Sequence, residues 1–185
     1  MKKIGLIFIF IFLTGLFAGL FFSTSLSAEG NDSLSGLMTL AFSEKSPGFA
    51  RVFTASLISN FTLVILMLPA VFSRLFSPLP AALLWYKSFA IGFCSGLLYI
   101  NSPEDAFIIS LVRFLPQNVF FIPAFIFIAA LFFHISHSGG LKAVYPAGKK
   151  SRRGGSPPLL LYAAAGAALI VIGSVAEGIF SLISL

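Results

Sequence analysis

Hydrophobic residues in this chain form long uncharged runs that polar segments separate. A run of about twenty apolar residues is long enough to cross a hydrocarbon layer as a helix. We therefore expect an all-α protein, a polytopic helix bundle that forms a single membrane domain over residues 1–185. The pattern predicts five spans, at residues 4–22, 57–76, 79–100, 119–135 and 159–182.

The first span can be interpreted either as an uncleaved anchor or as a secretory signal peptide. A signal h-region is usually about 7 to 15 residues long, and this uncharged run is longer. Ser25, Ser27 and Ala28 would nevertheless serve as a cleavage site. The length of the run favours the anchor.

Residues 28–56 are predicted to form an external polar segment. Within it Leu34, Leu37, Met38 and Ala41 recur at helical spacing, which predicts an amphipathic helix. Such a helix would either lie on the membrane surface or cover the bundle as a lid.

Two Ser-Pro pairs indicate helix starts, because serine caps a helix and proline suits its first turn. Ser46 precedes Pro47, from which a helix would enter the bilayer near residue 57 with a kink at Pro69. Ser102 likewise precedes Pro103.

The apolar stretch over residues 106–135 is about 45 Å long as a helix, which exceeds one upright crossing. Pro116 and Pro123 are the expected positions of helix breaks. We predict a re-entrant half-helix over residues 103–115, a turn at Pro116, Gln117 and Asn118, and then the fourth span.

Charge predicts the orientation. The chain carries 12 Lys and Arg against 6 Asp and Glu. In a membrane protein the position of the basic residues reports topology rather than nucleic-acid binding, and no nucleic-acid partner is expected. Lys2, Lys3, Arg74 and the loop of residues 136–158 fall on one side, which is therefore predicted to be cytoplasmic. The N-terminus is then inside and the C-terminus outside.

The loop of residues 136–158 contains a strongly basic stretch. Either its charges only set the topology, or they bind anionic lipid headgroups, each basic residue contributing about 1 kcal/mol. The cations concerned are Lys149, Lys150, Arg152 and Arg153.

Candidates for catalysis are weak, and we expect no enzyme, no cofactor and no metal site. His134 and His137 lie at the end of one span without a nearby Cys or acid, and are interpreted as interfacial. Gly92 and Gly96, like Gly15 and Gly19, have the GxxxG spacing that is typical of close helix packing in membranes.

Charged residues within the spans are the remaining signal. Lys87 follows Trp85 and Tyr86, which is typical of an interfacial belt with a snorkelling amine. Arg113 and Glu177 are expected at similar depth, where an isolated charge is costly.

We therefore predict an ion pair between Arg113 and Glu177, with Asn60, Gln117 and Asn118 completing an intramembrane polar cluster. The pair either fixes the helices against one another or lines a path for a solute or proton.

Two motifs carry a resemblance to a known family. LPQNVFFIPAF at residues 115–125 and SVAEGIFS at residues 174–181 resemble the stage II sporulation protein M family. Many relatives outside spore formers have LPHG followed by a Glu, whereas this chain has Gln117, Asn118 and Phe121 there. The LPQN sequence is closer to the sporulation branch, and Glu177 matches the family's acidic position.

The resemblance implies a multi-pass protein of the bacterial cell membrane, in the mother-cell membrane that engulfs the forespore. Its implied partners are two wall hydrolases, the transglycosylase stage II sporulation protein D and the amidase/endopeptidase stage II sporulation protein P. The chain would act as their scaffold. The alternative is a transporter or pore subunit for a small solute or ion, for which five spans would need a homo-oligomer to enclose a path.

Overall fold

A computed structural model describes residues 2–26, 30, 34, 36, 48–101, 103–104, 106–138 and 157–182, and all regular secondary structure in these residues is helical. The expected all-α class is confirmed. The α-helices are α1 (Lys2–Thr24), α2 (Phe49–Met67), α3 (Pro69–Phe72), α4 (Leu79–Asn101), α5 (Ala106–Ile109), α6 (Leu115–His137) and α7 (Pro157–Phe180).

Five helical segments of the described chain are long and apolar enough to cross a membrane, as the sequence predicts. The third predicted span, residues 79–100, agrees with α4 to one residue. The fourth is longer than predicted, since α6 begins at Leu115 rather than at residue 119. The helices of the first and last spans begin two residues before the predicted spans.

The helix of the second span is described from Phe49, shortly after the predicted helix start at Ser46 and Pro47, and it is interrupted where the proline predicts a kink. Pro69 has no N–H to donate to the carbonyl of Ile65. The N–H of Leu68 bonds that carbonyl instead, at 3.0 Å, and the helix resumes as α3. A short 3₁₀ turn, Arg74–Phe76, then leads to α4.

The predicted re-entrant half-helix over residues 103–115 and the turn at Pro116, Gln117 and Asn118 are wrong. The backbone is helical without a turn from Ala106 to His137, and Ser110–Phe114 forms a π-helical segment between α5 and α6. Pro116 would crowd the carbonyl of Val112 in a regular helix. The wider π turn, closed by the N–H of Leu115 on the carbonyl of Ser110, accommodates it.

The other predicted helix start in this region is also displaced. Pro103 and Glu104 lie in a turn, and the helix begins at Ala106. Pro123 lies inside α6 without ending it.

Several predictions fall outside the described residues. They concern Ser46 and Pro47, the amphipathic pattern apart from Leu34, and the four cations Lys149, Lys150, Arg152 and Arg153.

Helix α6 lies at the centre of the bundle. Of the residues in its most hydrophobic stretch 56% are buried, against 22–33% in the other four spans. It packs against α1, α3, α4 and α7. Its buried side chains, among them Phe121, Phe125 and Leu131, join Phe8 and Phe12 of α1 in one hydrophobic core.

The closest helix contact joins α1 and α4, and it follows the two GxxxG pairs. A Cβ atom on Gly19 would clash with the backbone carbonyl of Phe89, and one on Gly92 would clash with that of Leu16. Gly15 and Gly96 similarly face Ser88 and Ser23. The prediction that these glycines mediate close packing is confirmed, and we call this contact the glycine seam.

The glycine seam gives a first prediction. Gly19→Ala should destabilise the bundle by about 1–3 kcal/mol, because the added methyl group meets backbone that cannot rotate away. The matched control is Gly5→Ala on the same helix, since nothing lies within 4 Å of a Cβ at Gly5. Loss of helical circular dichroism in mixed micelles of increasing denaturing detergent measures both variants. Equal stability of the two variants would contradict the role of the seam.

Candidate functional site

A polar cavity of about 510 Å³ lies among α2, α4, α6 and α7. Helices α2 and α7 pack directly on one another, and α6 packs on both α4 and α7. The polar and charged residues that line the cavity are Arg51, Ser56, Ser59, Asn60, Lys87, Gln117, Asn118 and Glu177. Four of these, Asn60, Gln117, Asn118 and Glu177, are members of the predicted polar cluster.

A hydrogen-bond chain crosses the cavity wall from α4 to α7. The Lys87 ammonium donates to Asn60 Oδ1 at 3.0 Å, and Asn60 Nδ2 donates to Ser56 Oγ at 3.2 Å. The Ser56 hydroxyl in turn donates to Glu177 Oε2. It also lies 3.2 Å from the hydroxyl of Ser174, which is fully buried. Asn60 therefore connects the lysine to the group that holds the glutamate.

The interfacial interpretation of Lys87 is wrong. Its side chain is half-buried and points into the bundle, with Nζ 5.7 Å and 5.5 Å from the ring centroids of Phe121 and Phe125. Both distances are within the range of a cation–π contact. Lys87 is the cavity residue that the sequence interpretation misplaced, and its position inside an apolar helix was the signal for a place within the bundle.

The predicted ion pair has a different outcome for each member. The Arg113 side chain lies outside the described residues, so its pairing stays a prediction. Glu177 is half-buried and is bonded by Ser56. Lys87 and Glu177 line the same cavity.

Gln117 and Asn118 reach the same cavity although the predicted turn is absent. Helical spacing places both on the first turn of α6. Asn118 Nδ2 donates to the carbonyl of Phe114 at 2.8 Å, while Gln117 Oε1 is buried without a hydrogen-bond partner. The Asn118 amide is thus hydrogen-bonded within the helix, whereas the Gln117 amide has an acceptor without a partner.

A second cavity, mostly apolar and about 530 Å³ in volume, adjoins the polar one. We call it the apolar groove. It runs beside the π-helical segment, and Phe107, Leu111, Leu115 and Ile122 are among its lining residues. It shares Phe114 and Asn118 with the polar cavity, so the two cavities meet at this wall.

The donor set of the polar cavity suits a charged or hydrogen-bonding organic group. Arg51 and Lys87 offer N–H donors, and Glu177 offers an acceptor. Among the residues that the structure describes, no three His, Cys, Asp or Glu side chains are grouped as metal ligands would be.

Comparison with known proteins assigns the family. The family model described as stage II sporulation protein M matches residues 8–182, which include every lining residue of both cavities. The chain belongs to the stage II sporulation protein M family. No curated protein and no solved structure matches it. In this member of the family, the acidic residue of the last span is bonded to the second span through Ser56.

The hydrogen-bond chain predicts a contrast between two amides in this family member. Asn60→Leu should cost about 1–3 kcal/mol, because it removes the hydrogen-bond acceptor of the Lys87 ammonium and one of the hydrogen bonds at Ser56. Gln117→Leu should cost less than about 1 kcal/mol, since the acceptor it removes is already unpaired. Unfolding in mixed micelles, followed by the fluorescence of the single tryptophan, Trp85, measures both. A loss for Gln117→Leu as large as that for Asn60→Leu would contradict this assignment.

Proposed function

We propose that the chain is a non-enzymatic membrane scaffold of a peptidoglycan-remodelling complex in endospore engulfment. The observation that carries this proposal is the family match over residues 8–182. That match makes the chain a sporulation-related membrane protein. Our proposal adds three points to family membership: the scaffold role, the engulfing membrane and the partner hydrolases, stage II sporulation proteins D and P.

Two features of the bundle support a scaffold. The glycine seam holds α1 against α4, and the hydrogen-bond chain holds α4 to α2 and α7. A scaffold that holds two hydrolases close together needs helices with fixed relative positions. A hydrolase held in the wrong place would lose the raised effective concentration that the scaffold provides. In the predicted orientation, residues 28–56 and the outer helix ends would contact the hydrolases.

The scaffold predicts where the partners bind. Replacing residues 31–45 with a Gly/Ser linker of equal length should abolish co-purification of both hydrolases from sporulating cells, while the chain still enters the membrane fraction. Mass spectrometry of the detergent-solubilised complex measures this. The control replaces residues 139–148 on the opposite predicted side and leaves Lys149, Lys150, Arg152 and Arg153 in place. Full recovery of the hydrolases with the 31–45 linker would refute this binding surface.

The polar cavity favours a second candidate, a transporter or pore subunit. Charged residues in a membrane bundle frequently mark substrate or ion pathways. Lys87 and Glu177 line one such cavity here, at the junction of four helices. A homo-oligomer would supply the further helices that a closed path needs.

Glu177→Gln separates the two candidates. In a transporter it should abolish solute flux into proteoliposomes while the hydrolases still co-purify, because a charge on the path is lost. In a scaffold it should lower bundle stability and hydrolase recovery together, because the acceptor of Ser56 is weakened. Glu104→Gln is the control, since Glu104 is exposed in a turn outside the cavity, and it should change neither. Flux that Glu177→Gln abolishes, in a chain from which no hydrolase co-purifies even before the substitution, would overturn the scaffold.

A further inference from the structure

We propose that the polar cavity and the apolar groove together form one binding site for an anionic membrane lipid, with its phosphate-bearing headgroup in the cavity and an acyl chain in the groove. The residues that line this site belong to α2, α4, α6, α7 and the helical segment that precedes α6. The site does not depend on the scaffold role.

The two cavities together are complementary to an amphiphile, a molecule with one polar and one apolar part. A mostly apolar space of about 530 Å³ neighbours a space of about 510 Å³ that polar and charged side chains line, and the two share the lining residues Phe114 and Asn118. Each volume lies within the range of about 300–1,000 Å³ that is usual for small-molecule sites. A soluble anion would fill only the polar half.

The charges of the polar cavity select an anionic headgroup. Among the side chains that the structure describes, two cations, Arg51 and Lys87, line it against one anion, Glu177. Glu177 is already bonded by Ser56, and Asn60 accepts from Lys87. An ammonium has three donors, so Lys87 retains hydrogen-bonding capacity for a phosphate oxygen. Arg51, which is exposed in the first turn of α2, lines the same cavity and adds a second cation to it.

The lining of the groove fits an acyl chain. Phe107, Leu111, Leu115, Val119 and Ile122 present apolar side chains to it. Lipid tails and such side chains are similarly apolar, so the groove alone gives little driving force. The headgroup contacts must therefore supply the selectivity, and the groove must supply room for the attached chain.

The chain contains its own reporter of occupancy. Cys94 is the single cysteine, it is exposed, and it lines the polar cavity. A headgroup in the cavity would cover its thiol. The rate of alkylation by an uncharged maleimide therefore measures how much of the cavity is occupied, without any substitution in the native chain.

The experiment compares the full chain in nanodiscs of phosphatidylcholine with and without phosphatidylglycerol. We expect phosphatidylglycerol to slow Cys94 alkylation at least about tenfold, which corresponds to a site about nine-tenths occupied. Soluble glycerol phosphate, added to the phosphatidylcholine nanodiscs, should give no protection. Equal alkylation rates in the two nanodiscs would overturn the proposal, and equal protection by glycerol phosphate would overturn the lipid as its occupant.

Three variants test the charges. Lys87→Gln and Arg51→Gln should each restore most of the alkylation rate in phosphatidylglycerol, because each removes a cation from the cavity. Arg74→Gln is the matched control, since Arg74 is exposed outside both cavities, and it should remain protected. If Lys87→Gln does not fold, Arg51→Gln still tests the site, because Arg51 is exposed at a helix end. Protection that persists in Arg51→Gln and in folded Lys87→Gln would overturn the site.

Discussion

A charged side chain on a membrane-spanning helix that points into the bundle must find polar partners inside the protein, because the hydrocarbon layer offers none. Lys87 on α4 and Glu177 on α7 are two such side chains, and α2 supplies the partners of both. Asn60 accepts from the lysine and Ser56 donates to the glutamate, one helical turn apart on the same face. This requirement connects three helices through two neighbouring residues, and it fixes the rotation of each helix about its own axis.

The glycine seam sets the rotation of α4 independently. Ser88, Gly92 and Gly96 face α1, which turns Lys87 and Cys94 towards the polar cavity. The packing of α6 is consistent with the same arrangement. Phe121 lies beneath the Lys87 ammonium, and its ring is so close to α7 that a Cβ on Gly173 would lie 2.7 Å from it. Small residues thus let the helices approach, and the approach brings the polar groups within bonding distance.

The sequence predicts the spans and most of the polar cluster because both depend on local properties. The length of each apolar run predicts the five spans. An amide or acid within such a run predicts a member of the polar cluster, as at Asn60, Gln117, Asn118 and Glu177. Lys87 is different, since a lysine beside Trp85 and Tyr86 has the same pattern at an interface and inside a bundle. Only the positions of Asn60 and Phe121, set by other helices, distinguish these two environments.

Pro116 illustrates a second limit of sequence interpretation. A proline requires that one regular hydrogen bond be absent, but the chain can respond with a turn, a kink or a change of helix type. Here the change to π geometry over Ser110–Phe114 keeps the backbone helical. Which response occurs depends on packing against neighbouring helices, and the π-helical segment is itself in contact with α6 and α7.

The polar cavity also bears on the stability of the bundle. Cavities lined by polar groups hold water or ligand, whereas cavities that stay empty are apolar. Lys87 and Glu177, the two ends of the hydrogen-bond chain that holds α4, α2 and α7 together, both line this cavity. An occupant that binds only the folded bundle stabilises it in proportion to its own affinity. The arrangement of the helices and the contents of the cavity are therefore thermodynamically linked.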